Sequence, residues 1–155
     1  MRPAERGLAL ALATAGLVVA LDQATKQLVV NSLTRGESVN VFIGLDITNT
    51  RNTGVAFGAL QGGGVVVGLL IGLSLGMLVG YFALHAARPL LWLPVGMLVG
   101  GALGNLADRA REGAVIDFVD PVLWPAFNLA DTSIVLGVLA LFWVLEGPDL
   151  PRRAS

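Results

Sequence analysis

Four long stretches of the chain carry almost no charge, and short polar segments separate them. Gly7–Leu21 has 15 uncharged residues, Val55–Leu84 has 30, Pro89–Ala107 has 19, and Phe127–Leu145 contains a single charge, Asp131. A transmembrane helix needs about 20 mostly apolar residues. We therefore predict an α-helical integral membrane protein with four transmembrane helices, forming one membrane domain over residues 1–155. The predicted spans are approximately 8–30, 63–84, 89–109 and 127–146.

The first apolar stretch has an alternative interpretation as a secretory signal peptide, because Arg2 and Arg6 precede it. A signal peptide ends in small residues at a cleavage site. Here the helical pattern continues through Asp22 and Lys26 as far as Val30. We therefore expect this segment to be retained as the first span.

The pattern changes to a period of two between the first and second spans. Every second residue from Val39 to Ile47 is aliphatic, and this spacing is typical of a half-buried strand. Residues 49–54 have the composition of a turn. We predict a small extracytoplasmic β element over about residues 36–58, on the outer membrane face. Four crossings place an outer loop, residues 111–126, on the same side.

Glycine recurs at every fourth position in two of the predicted spans. Small residues at this spacing allow helix backbones to approach closely in lipid. We expect close helix packing from these glycines and no further role. They are Gly64, Gly68, Gly72, Gly76 and Gly80 in the second span, and Gly96, Gly100 and Gly104 in the third.

Composition supports a membrane protein and narrows its chemistry. Hydrophobic residues make up 55% of the chain and charged residues 14%, whereas soluble domains have about 25% charged residues. The absence of cysteine excludes a disulfide scaffold, a zinc–thiolate site and a cysteine nucleophile. The net charge of −1 gives no basic surface for nucleic acid, and the single histidine, His85, has no second histidine for a metal site. We expect no metal and no cofactor.

Positive charges give a modest indication of orientation. Each side of the predicted bundle carries five, but Lys26 and Arg109 lie within helical patterns and not in loops. Discounting these two favours cytoplasmic termini by the positive-inside rule.

Polar residues within three of the spans fall at a common depth, toward the outer end. Each group has the spacing i, i+3, i+4, which places its members on one helix face. Charged groups inside a membrane are costly and tend to be functional. We therefore predict a shared pocket that water can reach. The groups are Asp22, Thr25 and Lys26; Asn105, Asp108 and Arg109; and Asn128, Asp131 and Thr132.

Structural explanations also exist for each group taken separately. Asp22 and Lys26 have the spacing of an ion pair, and Asp108–Arg109 that of an interfacial anchor. Asn128 has the position of a helix cap and Asp131 that of a favourable first-turn charge. Asp117 and Asp120 fall within the predicted loop, where a structural explanation is that they are ordinary loop acids. Taken together, however, the groups place more acids on one side of the membrane than simple anchoring requires.

The residue types limit the possible catalytic chemistry. His85 lies near the opposite, inner end, so a Ser-His-Asp triad is excluded. Ser-Lys catalysis through Lys26 is disfavoured, because Ser32 and Ser38 lie beyond the helical pattern. Two aspartates that share a proton remain possible. A small transporter is an alternative, although it would need polar residues across the full depth. A purely structural membrane subunit would explain only the glycines.

Five sequence blocks, in order along most of the chain, resemble the lipoprotein signal peptidase (signal peptidase II) family. The resemblance implies an aspartic endopeptidase of the bacterial cytoplasmic (inner) membrane. Such an enzyme removes the signal peptide from diacylglyceryl-modified prolipoproteins just before the lipidated cysteine. The blocks are Asp22-Gln-Ala-Thr-Lys26, Asn52-Thr-Gly-Val-Ala-Phe57, Gly100 to Arg109, Val115-Ile-Asp-Phe118 and Phe127-Asn-Leu-Ala-Asp131.

The resemblance also implies roles for individual residues. Asp117 and Asp131 would be the catalytic pair, with no metal, and Asp108 a structural partner. The active site would face the outer side of the membrane, and the enzyme would act as a monomer among membrane lipids. The residues implied to bind substrate or support the site are Asp22, Lys26, Asn52, Gly54, Asn105, Arg109 and Asn128.

Overall fold

The computed structural model describes residues 1–53 and 64–146, and for residues 64–71 it describes the backbone only. Helices are found at all four predicted spans, with a small antiparallel sheet beside them. In chain order the elements are α1 (Pro3–Ser32), β1 (Ser38–Phe42), β2 (Leu45–Asn52), α2 (Gly64–His85), α3 (Trp92–Glu112), β3 (Val115–Pro121) and α4 (Leu129–Glu146).

Two helices within the described ranges, α1 and α4, are long and apolar enough to cross a membrane. The apolar part of α2 whose side chains are described, Gly72–His85, is shorter. Over the described residues the chain is thus mostly helical, with two helices capable of spanning a membrane, and the count of four spans stays a prediction.

Helix α3 lies between α1 and α4 and packs closely on both through glycine. A Cβ atom added at Gly100 would lie 2.8 Å from the carbonyl oxygen of Ala15 on α1. One added at Gly101 would lie 2.6 Å from the carbonyl oxygen of Ala130 on α4. Real Cβ atoms are not found at such distances. The prediction of close glycine packing is therefore confirmed for the third span.

The same prediction is wrong for the part of α2 whose side chains are described. No described atom lies within 4 Å of a Cβ added at Gly72, Gly76 or Gly80. Instead, α2 joins the bundle near its C-terminal end, where Phe82 belongs to a buried apolar cluster with Val95 of α3. The glycine repeat of α2 consequently faces away from the rest of the described chain.

One end of the bundle gathers the start of α1, the turn between α2 and α3, and the end of α4. A Cβ at Gly7 would overlap the carbonyl group of Ala86. Arg88 donates to the carbonyl oxygens of Val144 at 2.9 Å and Leu145 at 3.2 Å. The last carbonyls of a helix have no partner within the helix, so Arg88 satisfies them. The sheet follows the C-terminal ends of α1 and α3, which lie at the opposite end.

The three strands form an antiparallel sheet in the order β1-β2-β3. The aliphatic alternation from Val39 to Ile47 is not one strand but a hairpin that reverses at Gly44, whose φ is +79°. That left-handed conformation is accessible to glycine and strained for most other residues. Residues 49–52, predicted to form a turn, belong to β2 instead. A register shift between Ile47 and Thr50 buries Asn49, and its side chain donates to the carbonyl of Leu33 at 2.7 Å.

The predicted outer loop, residues 111–126, contains strand β3, which the sequence analysis does not predict. Asn52 is opposite Val115 and Thr50 is opposite Asp117 in the β2–β3 register. Val115, Ile116 and Asp117 are all buried, so the strand shows no alternation that would identify it. The pairing places Asp117 beside Asn52, at the end of the bundle that carries the sheet.

The glycine contacts predict opposite effects for two identical substitutions. Gly100→Ala should lower the free energy of unfolding by about 1–3 kcal/mol, because the added methyl group overlaps α1. Gly76→Ala, in open space on α2, should leave it unchanged or raise it, because alanine favours the helix. Thermal unfolding in detergent measures both. Equal losses of stability would contradict the packing described here.

Candidate active site

A buried ammonium group joins two of the bundle helices. Lys26 is 1% exposed. Its Nζ lies 2.8 Å from Oδ2 of Asp22, 2.7 Å from Oδ2 of Asp108 and 3.1 Å from Oδ1 of Asn105. The three hydrogens of the ammonium thus meet three acceptors. Asp22 and Lys26 are therefore more than an ion pair at a helix end.

The two carboxylates extend this cluster to α4 and β3. Oδ1 of Asp22 accepts the backbone N–H of Ala130 at 2.9 Å. Oδ2 of Asp108 accepts the backbone N–H of Ile116 at 3.2 Å. Asp108 thus has structural partners on α1 and β3, as the sequence analysis predicts for it.

Gln23 belongs to the same cluster and was not predicted. Its Nε2 lies 2.9 Å from Oδ1 of Asp108, 3.1 Å from Oδ2 of Asp22 and 3.2 Å from the carbonyl oxygen of Gly104. The position directly after Asp22 is off the i, i+3, i+4 face, so helix periodicity does not identify it. Its presence within the first matched sequence block was the one available signal.

Asn128 connects the two aspartates that the family resemblance singles out. Its Nδ2 donates to Oδ1 of Asp117 at 2.7 Å. Its Oδ1 accepts the backbone N–H of Asp131 at 2.9 Å, and its own N–H lies 3.3 Å from Oδ2 of Asp131. This reciprocal pair is a capping box at the start of α4. The helix-cap interpretation of Asn128 is therefore correct, and the same side chain also contacts Asp117.

Two further amides complete the surroundings of these acids. Asn105 donates from Nδ2 to Oδ1 of Asp131 at 2.8 Å, while its Oδ1 accepts from Lys26. Asn52 donates from Nδ2 to Oδ2 of Asp117 at 3.0 Å. Each carboxylate is thus held at both oxygens by N–H donors from neighbouring elements.

The electrostatic environment of Asp117 raises the pKa of its carboxyl. Asp117 is 1% exposed, and this burial raises the pKa of its carboxyl above the ordinary value. The negative charge of Asp131 raises this pKa further, whereas hydrogen bonds from Asn52 and Asn128 and the charge of Lys26 oppose the shift. Asp131 is only partly buried. The pair therefore combines a fully buried carboxyl group with a partly exposed one.

The remaining predicted residues lie elsewhere or outside the description. Arg109 is exposed, and its Nη1 lies 3.5 Å from the carbonyl oxygen of Asn105. The hydroxyl groups of Thr25 and Thr132 bond to carbonyls of their own helix or its cap. Gly54 lies outside the described residues. The predicted residues that the structure does bring together are Asp22, Lys26, Asn52, Asn105, Asn128, Asp117 and Asp131.

The described part of the chain contains no group of three or more acidic or histidine side chains placed to hold a metal ion. The carboxylates of Asp22 and Asp108 are both paired with Lys26.

The buried cluster predicts a large cost for removing its cation. Lys26→Met should lower the free energy of unfolding by about 3–5 kcal/mol, because two buried carboxylates lose their counter-charge. Adding Asp108→Asn to this variant should recover part of the loss. The matched control is Gln27→Met on the exposed side of α1, which should change stability by less than about 0.5 kcal/mol. Equal effects at both positions, measured by denaturant or thermal unfolding, would contradict a stabilising ion cluster.

Comparison with known proteins identifies the family. A match to the family described as Signal peptidase (SPase) II covers residues 14–145. The chain is 44% identical over 131 residues to a lipoprotein signal peptidase of Pelotomaculum thermopropionicum, covering 83% of this chain and 86% of that one. It is also 44% identical over 135 residues to that of Moorella thermoacetica, covering 85% and 89%.

Solved structures agree with this result. A bacterial membrane enzyme determined by the in meso method at 1.9 Å resolution has a TM-score of 0.78 and 33% sequence identity, and the match covers 88% of this chain and 92% of the other. A second such structure, at 2.3 Å resolution, has a TM-score of 0.77 and 30% identity, with 94% coverage of both chains. The chain therefore belongs to the signal peptidase II family.

Proposed function

We propose that this protein is an aspartic endopeptidase that cleaves the signal peptide from diacylglyceryl-modified prolipoproteins just before the lipidated cysteine. Asp117 and Asp131 activate the water that attacks the scissile bond. Family membership supports the substrate class. The observation that carries the mechanism is the bridge through Asn128, which contacts both aspartates.

In the proposed reaction the two carboxyl groups share one proton. The raised pKa of Asp117 supports it as the protonated member, which donates a hydrogen bond to the scissile carbonyl. The ionised carboxylate of Asp131 takes a proton from water as the oxygen attacks the carbonyl carbon. The tetrahedral intermediate then collapses, the C–N bond breaks, and the acquired proton goes to the amine of the lipidated cysteine.

The surrounding amides hold the acids in position for this reaction. Asn105 and Asn128 fix Asp131, and Asn52 and Asn128 fix Asp117. Lys26 and Asp22 act one layer further out, through Asn105 and the backbone of α4. These residues are positioning residues, whereas Asp117 and Asp131 touch the reacting atoms.

The proposal includes a placement in the cytoplasmic (inner) membrane of a bacterium. Four helices cross the bilayer, both termini are cytoplasmic, and the sheet and active site face the outer side. The apolar α1 and α4 and the arrangement of the bundle ends support this placement. A substrate held by its lipid and its apolar signal helix then meets the site at the bilayer edge. The enzyme acts as a monomer and needs no cofactor.

Both aspartates should be required for cleavage of the substrate. The purified protein in detergent should cleave a diacylglyceryl-modified prolipoprotein before the lipidated cysteine, as followed by product mass. Asp117→Asn and Asp131→Asn should each lower kcat by about 100- to 10,000-fold, because each removes one half of the acid–base pair. Asp120→Asn makes the same change on the same strand and should retain activity.

Two results would contradict this proposal in different ways. A folded parent protein that leaves the substrate whole would overturn the reaction. A substrate cut normally by either the Asp117 or the Asp131 variant would overturn the paired mechanism while leaving the peptidase assignment in place.

Asn52 should influence how kcat/KM depends on pH. Its hydrogen bond lowers the pKa of Asp117 by stabilising the ionised carboxylate. Asn52→Ala removes this effect, so the pKa of Asp117 rises and the acid keeps its proton to higher pH. The alkaline limb of kcat/KM against pH should therefore move to higher pH. Asn40→Ala is the control, since its amide bonds to Asp46 instead. An alkaline limb that moves to lower pH, or moves equally in both variants, would contradict the assigned proton.

A further inference from the structure

The β1–β2 hairpin has one apolar and one polar face. Val39 and Ile47 are cross-strand partners, and Val41 follows on the same side. On the other side, Nδ2 of Asn40 donates to Oδ1 of Asp46 at 2.7 Å. Val39 and Val41 are exposed, Val41 by 54%. An exposed aliphatic patch of this kind is typical of a surface that meets a partner or a membrane.

This apolar face and the C-terminal end of α1 border a shallow, open groove of about 310 Å³. Leu28, Val29 and Leu33 form the helix side, and Val39, Val41 and Ile47 form the sheet side. Its lining is almost entirely hydrocarbon, with Ser32 as the one polar side chain. Such a groove suits an extended aliphatic chain and offers nothing to a charged ligand.

The groove continues the apolar outer surface of α1. Leu28 is 66% exposed, and Leu17 and Leu21 are also exposed along the helix. The 30 residues of α1 span about 45 Å, whereas the hydrocarbon core of a bilayer is about 30 Å thick. The final turns of α1, which line the groove, therefore reach the boundary between acyl chains and headgroups.

A second group of exposed apolar residues lies at two connected turns at one end of the sheet. Phe42 and Ile43 lie at the hairpin turn, and Leu123 and Trp124 lie after β3. The two turns are joined by a hydrogen bond from the N–H of Val122 to the carbonyl of Gly44 at 3.1 Å. Trp124 is 69% exposed, and tryptophan is enriched where membrane meets water.

We propose that the groove between α1 and the hairpin binds an acyl chain of a bilayer phospholipid, which holds the sheet down on the membrane surface. This inference rests on the membrane placement given under the proposed function. The groove lies on β1, at the opposite edge of the sheet from β3 and Asp117. It is therefore separate from the position of the scissile bond. Holding the sheet at a fixed height keeps Asp117 level with Asp131 on α4.

The absence of cysteine from the sequence makes a direct test possible. Val41→Cys and Asn40→Cys place the same fluorescent label on adjacent residues of opposite faces. Each labelled protein is reconstituted in vesicles containing phospholipid with a nitroxide on the acyl chain near the headgroup. We expect the nitroxide lipid to reduce the emission of the Val41 label and to leave that of the Asn40 label unchanged. Aqueous iodide should quench the Asn40 label more strongly than the Val41 label.

Thermal unfolding of both labelled proteins is the control for folding, and both should unfold at the temperature of the parent. Equal accessibility of the two labels to iodide, with no quenching by lipid, would overturn the inference. Addition of diacylglyceryl-modified prolipoprotein should not restore the emission of the Val41 label. Restored emission would assign the groove to the lipid of the substrate, and would also overturn it.

A cleavage assay on the same vesicles separates this inference from the proposed function. Lipid quenching at Val41 without cleavage by the parent would support the groove and contradict the peptidase. Cleavage without lipid quenching at Val41 would support the peptidase and contradict the groove.

Discussion

One buried lysine ties together the helices and the sheet of this fold. An ammonium group enclosed by protein is costly unless it is fully paired. Lys26 meets this requirement through Asp22 on its own helix and through Asn105 and Asp108 on α3. The acids in turn bind backbone N–H groups at the start of α4 and in β3. Helix packing, sheet position and active-site geometry are consequently linked through one cluster of charges.

The same atoms serve stability and the proposed chemistry. Asn128 begins α4 as its cap, and its side-chain amide holds Asp117 on β3. Asp131 is the third residue of that helix and closes the capping box. The structural interpretation of these residues and the functional one are therefore not alternatives. A cap placed between two elements fixes the distance between the acids that they carry.

The sequence alone predicts a large part of this arrangement, and the limits have physical causes. Helices in lipid have long uncharged stretches, and their polar faces follow a fixed period, so Asp22, Lys26, Asn105 and Asn128 are predictable. Strand β3 is buried on both faces around Ile116 and has no alternation to identify it. Gln23 lies off the polar face of α1 by one position and reaches its partners only through the length of its side chain. The glycines of α2 match a packing pattern, but spacing alone does not provide a partner helix.

The donors around the two acids carry no charge, which is compatible with the single proton that the proposed reaction requires. The hydrogen bonds described for Asp117 and Asp131 come from neutral amides: Asn52, Asn105 and Asn128, with the backbone N–H of Asn128. A lysine or arginine in direct contact would favour ionisation of both acids and so remove the proton that the proposed reaction needs. Lys26 instead forms ion pairs with Asp22 and Asp108, and the side chain of Asn105 lies between Lys26 and Asp131. The amide layer thus positions the pair without placing a cation against either carboxylate, and the burial of Asp117 is the main cause of its raised pKa.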